Sequence, residues 1–301
     1  MTTATTSLAG RTVSRIGYGA LQLERLHGRR EEAVALLRRA VELGVDHVDT
    51  AEFYGYGFAN EVIRDVLRDV LRDEDGVLVV TKVGAAPDPG GPLPLRLAQR
   101  PEQLRAGVED NLRSLGLDRL PVVNLRRLDS GPGLRPEGDQ IVGLDDQLAV
   151  MTALRDEGKI GAIGLSGVTL DGLRRALPAG VACVQNAYSL VSRDDEDLLR
   201  LCQAEGIAWV PFFPLGGAFP GLPKATEEPV VRAVAESLGV TPTQVALAWL
   251  LHHAPHVLLI PGTADLAHLE ANMAVAGITL DSATLAALDA VESRSHEVPI
   301  S

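Results

Sequence analysis

GVDHVDTAEFYGYGFANEVIRDVLRDVLRDEDGVLVVTKV, residues 44–83, holds two short β-branched runs on either side of one amphipathic stretch. His47–Ala51 predicts a strand, Asn60–Leu71 a helix and Val77–Val83 a second strand. The same alternation runs outward in both directions. Upstream, Leu8-Ala9-Gly10-Arg11 reads as a hairpin, Ile16–Leu21 as a strand, and Glu31–Glu42 as a helix that Gly44 stops. Downstream, strands are expected at Val122–Arg127, Ala162–Ser166, Cys183–Tyr188, Ile207–Phe213 and Val257–Ile260. Helices are expected at Arg100–Leu115, Leu144–Glu157, from Thr169, and at Asp194–Glu205. Four more follow at Pro229–Leu238, Pro242–His253, Leu266–Ala276 and Ser282–Val291. Eight strand–helix units in 301 residues predict a parallel α/β sheet closed into a (β/α)8 (TIM) barrel. The hairpin precedes it, extra helices end it, and no linker divides residues 1–301, so one domain is expected. The loops Ala85–Leu97, Asp129–Gln140 and Leu215–Thr226 fall where strands finish, the end at which such barrels place their active sites.

Composition narrows the function classes. The chain is 46% hydrophobic and 23% charged, with a formal net charge of −12. That balance supplies a core and disfavours a polyanionic partner, because no basic stripe exceeds pairs such as Arg29-Arg30 and Arg38-Arg39. Neither nucleic acid nor a membrane is an expected partner, and the oligomeric state cannot be read. The first ten residues carry no basic-then-apolar leader pattern, and no apolar run reaches the ~18 residues that span a bilayer. The two cysteines, Cys183 and Cys202, lie outside any C-x-x-C and read as buried thiols in a reducing compartment, so a cytoplasmic location is expected. His252, His253, His256 and His268 do not fall at a metal-ligand spacing, so no metal is assigned. His252 and His253 read as helix-surface residues. G-x-G-x-x-G, the P-loop and G-x-S-x-G are all absent, which argues against a Rossmann site, a nucleotide phosphate loop and a serine hydrolase.

The chemistry is expected where strands end. One strand runs into Val48-Asp49-Thr50-Ala51-Glu52-Phe53-Tyr54, and the next finishes Val80-Thr81-Lys82-Val83. A buried Asp and a buried Lys are each costly alone, so adjacent strand ends suggest that Asp49 and Lys82 neutralise each other. A tyrosine beside an ammonium would have its pKa lowered, making Tyr54 an acid and base near neutrality. A structural Asp–Lys pair with a tyrosine on the rim is the alternative reading of the same spacing.

Asp49-Thr50-Ala51-Glu52-Phe53-Tyr54-Gly55 resembles the D-T-A-x-x-Y-G signature of the aldo-keto reductases. Further elements follow in the family's order: Val80-Thr81-Lys82, Ile163-Gly164-Leu165-Ser166, Val184-Gln185-Asn186 with Tyr188-Ser189, and Pro211–Gly217. Thr241–Leu247 and Ile260-Pro261-Gly262-Thr263 complete the resemblance, which covers about residues 8–291. It implies an NAD(P)H-dependent oxidoreductase that reduces aldehydes or ketones reversibly. Tyr54 would be the general acid, assisted by Lys82 and Asp49. The cofactor would lie across the barrel mouth against Gly19, Ala20 and Asp49. Ser166 and Gln185 would hold its carboxamide and Phe212 would stack on its nicotinamide. Leu215, Gly216 and Gly217 would approach its pyrophosphate, and Gly262, Thr263, His268 and Asn272 its adenosine end.

Three positions depart from the family pattern. Arg126, in Leu125-Arg126-Arg127-Leu128-Asp129, stands where the family places a catalytic histidine. Strand parity points Asn124 and Arg126 inward and Arg127 outward. A guanidinium cannot shuttle a proton, but it can orient a carbonyl or hold an anion, so the small carbonyl substrate is expected to be anionic or strongly polar. A phosphorylated aldehyde, pyridoxal or a keto acid would fit. Pairing of Arg126 with Asp129 or Asp49 is the plainer alternative. Gly167 replaces a carboxamide-binding asparagine, so one donor is missing or replaced by Asn186. Gly262 and His268 replace Lys and Arg at the 2′-phosphate end, so NADP(H) is favoured and NAD(H) is the alternative. The competing functions are conjugated C=C reduction and a nicotinamide-binding sensor or regulatory subunit.

Overall fold

The computed structural model describes residues 5–70, 76–91, 93–131, 134–217 and 220–295. Leu71, the expected end of the second helix, lies outside the described residues, as do residues 1–4. The chain opens with β1 (Thr5–Leu8) and β2 (Arg11–Ser14), which pair antiparallel. Their turn places Ala9 and Gly10 at φ 52° and 79°, a left-handed pair that matches strand twist. The first parallel strand, β3 (Tyr18–Gly19), is shorter than expected. At Ala20 the chain enters a 3₁₀ turn to Leu26, because Ala20, Leu23 and Leu26 are spaced by three and bury together.

Strands and helices then alternate: α1 (Arg30–Glu42), β4 (His47–Asp49), α2 (Phe58–Val70) and β5 (Leu78–Val83). The expected loop after β5 is itself ordered as a hairpin, β6 (Ala85–Pro87) with β7 (Leu95–Leu97). Next come α3 (Pro101–Leu115), β8 (Leu120–Arg126), α4 (Leu144–Asp156), β9 (Ile160–Ser166) and α5 (Leu170–Ala176). The series continues with β10 (Val181–Gln185), α6 (Glu196–Ala204) and β11 (Ala208–Trp209). It finishes with α7 (Pro229–Leu238), α8 (Pro242–His253), α9 (Leu266–Met273) and α10 (Ser282–Asp289). The helix starts are chemically marked. Thr241 accepts from the Gln244 N–H and Gln244 Oε1 accepts from the Thr241 N–H, a reciprocal cap ahead of Pro242. Thr169 caps α5 by accepting from Gly172 N–H.

Seven strands form one parallel sheet in the order β11-β10-β9-β8-β5-β4-β3. Segment 257–260 makes parallel bridges on both sides, Trp209 with Val257 and Ile16 with Leu259. It forms bridges rather than the longer strand that its composition suggested. Two apolar layers result. Alternate residues of the strands, among them Val80, Val122, Cys183, Ala208, Val210 and Leu258, meet inside the curl of the sheet, and Leu8 and Val13 of the hairpin pack onto them. The opposite residues face the helices in a much larger core that includes Val79, Val123, Ile163, Leu165 and Val184. Because side chains alternate, polar residues at the last inward positions of the strands come to lie above the inner apolar layer.

Cys183 and Cys202 are both free and buried. His252 and His253, expected on the helix surface, are half-buried and hydrogen-bonded. His252 Nδ1 bonds Ala248 O at 2.8 Å, while His253 stacks on Trp249 and bonds Glu196. No helix among the described residues is by itself long and apolar enough to cross a membrane.

Candidate active site

Strand register gathers the inward polar residues. Arg126 of β8 lies opposite Ser166 of β9, and Ser166 opposite Gln185 of β10, while Lys82 of β5 lies opposite Asn124 of β8. Gly164 permits this, since a Cβ there would run into Asn124 Oδ1 and Cys183 Sγ. Asp49 and Lys82 are both buried, and the Lys82 ammonium donates to Asp49 Oδ1 and, at 3.0 Å, to Thr50 O. From the other side of the curled sheet, Gln185 Nε2 donates to Asp49 Oδ2 at 2.7 Å. Asp49 therefore accepts on both oxygens, as a buried carboxylate requires. Lys82 is not starved of its charge: burial disfavours the ammonium, but the Asp49 carboxylate and Tyr54 phenol outweigh it and raise its pKa.

Tyr54 is presented by a tight turn. Its N–H donates to Ala51 O at 3.0 Å, and Gly55, Tyr56 and Gly57 follow at φ 59°, 56° and 90°. Three successive left-handed residues reverse the chain so that the phenol ring lies with its centroid 5.0 Å from Lys82 Nζ. The expected lowering of the Tyr54 pKa does not occur in the protein alone. Burial pushes the phenol above its usual value near 10, and the nearby Lys82 cation only partly offsets it.

Arg126 points inward, and neither alternative partner takes it. Arg127 instead holds Asp129, through Nε at 2.8 Å and Nη2 at 3.1 Å, and reaches Gln147 Oε1. The Arg126 guanidinium lies 5.5 Å from the Phe53 ring centroid, and its buried Nη1 has no hydrogen-bond partner among the described residues. Burial lowers its pKa, with the Tyr54 phenol acting in the opposite sense. Its backbone is fixed by Gln99, whose Nε2 donates to Arg126 O at 2.7 Å.

Gln185 Oε1 is likewise buried without a partner among the described residues, and Ser166 is buried beside it. Asn186 is not available to replace the asparagine missing at Gly167. Its amide donates to Val168 O and Asp195 Oδ2 and accepts from Val168 N–H, so it braces the loop. Phe212 follows β11 and reaches toward Gly131 in the loop after β8. The remaining residues assigned to the cofactor form a second group. A Cβ on Gly19 would strike Ile260 O, and one on Gly262 would strike Gly19 O, so the two glycines let these segments touch. Ala20 is buried next to them. Tyr18 donates to Thr263 O at 2.6 Å, and Thr263 Oγ1 accepts from Asp265 N–H at 3.0 Å. Asp265 caps α9 by accepting from His268 N–H at 2.9 Å, leaving the His268 ring exposed, while Asn272 is buried. Leu215 is half-buried, and Gly216 and Gly217 are small because side chains there would collide with Pro223 O and Lys224.

A polar network that the sequence reading did not identify lies directly behind Asp49 and Lys82. Thr50 Oγ1 donates to Asn60 Oδ1 at 2.7 Å and Thr81 Oγ1 to Asn111 Oδ1 at 2.5 Å. Asn60 Nδ2 links Asn111, Ser114 and Glu52, which joins the turn carrying Tyr54 to α2 and α3. The available signal was Asn111, a polar residue inside the apolar stripe Leu104, Val108, Leu115 of α3.

With this geometry in view, the comparisons are unambiguous. The model of the aldo/keto reductase family matches residues 15–293. The chain belongs to the aldo/keto reductase family. It is accordingly an enzyme of the NAD(P)H-dependent oxidoreductase class. Pyridoxine 4-dehydrogenase of Escherichia coli (strain K12) is 41% identical over 298 residues, covering 97% of this chain and 99% of its own length. An uncharacterized oxidoreductase of Schizosaccharomyces pombe is 33% identical over 296 residues, with 95% and 89% covered. Among solved structures, an aldo/keto reductase from Klebsiella pneumoniae in complex with NADP and acetate aligns with a TM-score of 0.76 at 28% identity, covering 95% of this chain and 94% of that one. A thermostable aldo-keto reductase bound to the inhibitor epalrestat aligns at 0.78 and 27% identity, with 96% and 100% covered.

Proposed function

We propose that this aldo/keto reductase reduces a small aldehyde reversibly with NADP(H), and that pyridoxal is its foremost substrate. The single observation that carries the reductase reading is Lys82, hydrogen-bonded to Asp49 while lying 5.0 Å from the Tyr54 ring centroid. Tyr54 is the proton donor to the substrate oxygen. Lys82, kept charged by Asp49, stabilises the phenolate left behind. Arg126 stands in place of the family's histidine and orients the substrate through a polar or ionised group, since a guanidinium does not relay protons. Pyridoxal is favoured by the 41% identity to pyridoxine 4-dehydrogenase over nearly the full length of both chains.

The residues fit a nicotinamide cofactor. The buried, unpartnered Gln185 Oε1 suits a carboxamide N–H, with Ser166 beside it. Phe212 offers a ring face, and the glycine contact at Gly19 and Gly262 leaves bare backbone at the mouth. Ala20, Leu215, Gly216 and Gly217 would line its path, and Thr263, His268 and Asn272 its adenosine end. When bound, the reduced nicotinamide supplies the hydride; the chain's own groups orient the carbonyl and deliver the proton. NADP(H) is preferred because solved relatives carry it. NAD(H) is the second candidate, because His268 is exposed and the Asp265 carboxylate caps the same helix. In this reading segment 257–260 is the eighth strand of a closed barrel, formed by residues 1–301 as one domain in the cytoplasm, where Cys183 and Cys202 stay reduced.

The test is NADPH oxidation with pyridoxal, other aldehydes, ketones and a conjugated enone, with Tyr54→Phe as control. Pyridoxal-dependent turnover that falls at least about a hundredfold in the variant supports the reading. A loss below about tenfold contradicts Tyr54 as donor, turnover confined to the enone indicates C=C reduction, and cofactor binding without turnover indicates a sensor.

A further inference from the structure

Two cations lie near Tyr54, Lys82 buried and Arg126 half-buried, and only one is spent. Lys82 gives hydrogen bonds to Asp49 and Thr50 O, whereas Arg126 Nη1 is buried with no acceptor among the described residues. A buried charge without a partner is costly, and deleting the partner of such a charge typically costs several kcal/mol. The neighbouring carboxylate does not relieve Arg126, because Asp129 is held by Arg127. The backbone that carries the arginine is held in place. Gln99 Nε2 anchors its carbonyl and that of Gly84, Gln147 Nε2 in turn anchors Gln99, and the guanidinium lies over Phe53. The arrangement is a donor without an acceptor, laid over Phe53, beside the phenol that protonates the carbonyl.

We propose that Arg126 receives an ionised ring oxygen adjacent to the reacting carbonyl, so that the substrate class is the ortho-hydroxy aromatic aldehyde. This rests on the reductase reading above and sharpens it. In pyridoxal the ring hydroxyl is the neighbour of the formyl group, so one face of the ligand presents two oxygens side by side. Tyr54 meets the formyl oxygen and Arg126 the phenolate. The charge-assisted bond holds the formyl group in the ring plane at a fixed orientation to Tyr54. The buried Nη1, without an acceptor among the described residues, is open to a phenolate oxygen beside the formyl group, and the comparison with a carboxylate substrate below decides between one oxygen and two.

Two measurements test this. The first compares kcat/KM for salicylaldehyde with that for 2-methoxybenzaldehyde, and includes phenylglyoxylate as a carboxylate arm. The wild-type enzyme should favour the free phenol by about tenfold or more, the scale of one charge-assisted hydrogen bond. The ratio should collapse toward one in Arg126→Met and be partly retained in Arg126→Lys, which also answers a folding failure of the methionine variant. The second is an ultraviolet titration of bound pyridoxine, which reads ionisation of its ring hydroxyl without turnover. Phenolate should accumulate on the wild type at a pH where free pyridoxine keeps more of that proton, and this shift should vanish in Arg126→Met. Equal ratios in the wild type, a preference that survives Arg126→Met, a preference for phenylglyoxylate or an unshifted pyridoxine spectrum would each overturn the assignment. If no aldehyde is reduced, the reductase reading falls, and the pyridoxine spectrum still decides whether Arg126 binds a phenolate.

Discussion

Lys82 donates to Asp49 across the gap between two adjacent strand ends, and Asp49 is simultaneously reached by Gln185 from the far side of the sheet. The pair is buried, so its two charges depend on each other. Replacing Asp49 by Asn leaves the Lys82 ammonium uncompensated and should cost about 3–5 kcal/mol. The double variant Asp49→Asn/Lys82→Met should regain most of that stability and none of the turnover. Urea unfolding read alongside kcat separates the two effects; a double variant as unstable as the single one would contradict mutual neutralisation.

The Tyr54 phenol is pushed above its usual value near 10, with burial the main cause. A raised pKa keeps the acid form present to higher pH. Single-turnover reduction should therefore be level through neutrality and decline only on the alkaline side of 10, while alcohol oxidation, which needs the phenolate, should rise with pH across the same range. A reduction rate that already halves between pH 7 and 8 would contradict this assignment.

Glu196 accepts from Tyr188 and bonds His253 Nε2 at 3.1 Å, and its pKa is held down to about 2, chiefly by His253. Because the folded value lies below the unfolded one, the stabilisation is complete above about pH 4.5 and is lost as pH falls toward 2. The urea midpoint of the wild type should drop more steeply below pH 4.5 than that of Glu196→Gln. Parallel acid limbs would remove Glu196 from the account.

Gly19 and Gly262 touch through bare backbone. Gly19→Ala places a methyl against Ile260 O, a rigid neighbour that cannot rotate away, and should cost about 1–3 kcal/mol. The same variant should weaken NADPH binding, measured by fluorescence quenching. An unchanged Tm with unchanged cofactor affinity would show that the contact is slack.

Legibility followed range along the chain. Asp49, Tyr54 and Lys82 were readable because polar residues at strand ends stand out against β-branched runs, and the inward direction of Arg126 followed from parity alone. The Asn60–Asn111 network was missed because it depends on which helices pack behind β4 and β5. Of the two readings left open at Gly167, replacement by Asn186 fails because its amide is consumed by Val168 and Asp195, which its position beside Gln185 does not reveal. The hairpin of β6 and β7 escaped notice because Pro and Gly dominate the stretch between its short strands.

By itself the sequence determined the alternation of strand and helix, the family, and the strand ends at which the chemistry would lie. These depend on periodicities of two and 3.6 residues that neighbours along the chain impose. Only the tertiary structure decided the direction in which the Tyr54 pKa is pushed and which cation is neutralised. Burial and charge pairing act through space between groups far apart in sequence, and they spend Lys82 on Asp49 while leaving Arg126 without an acceptor.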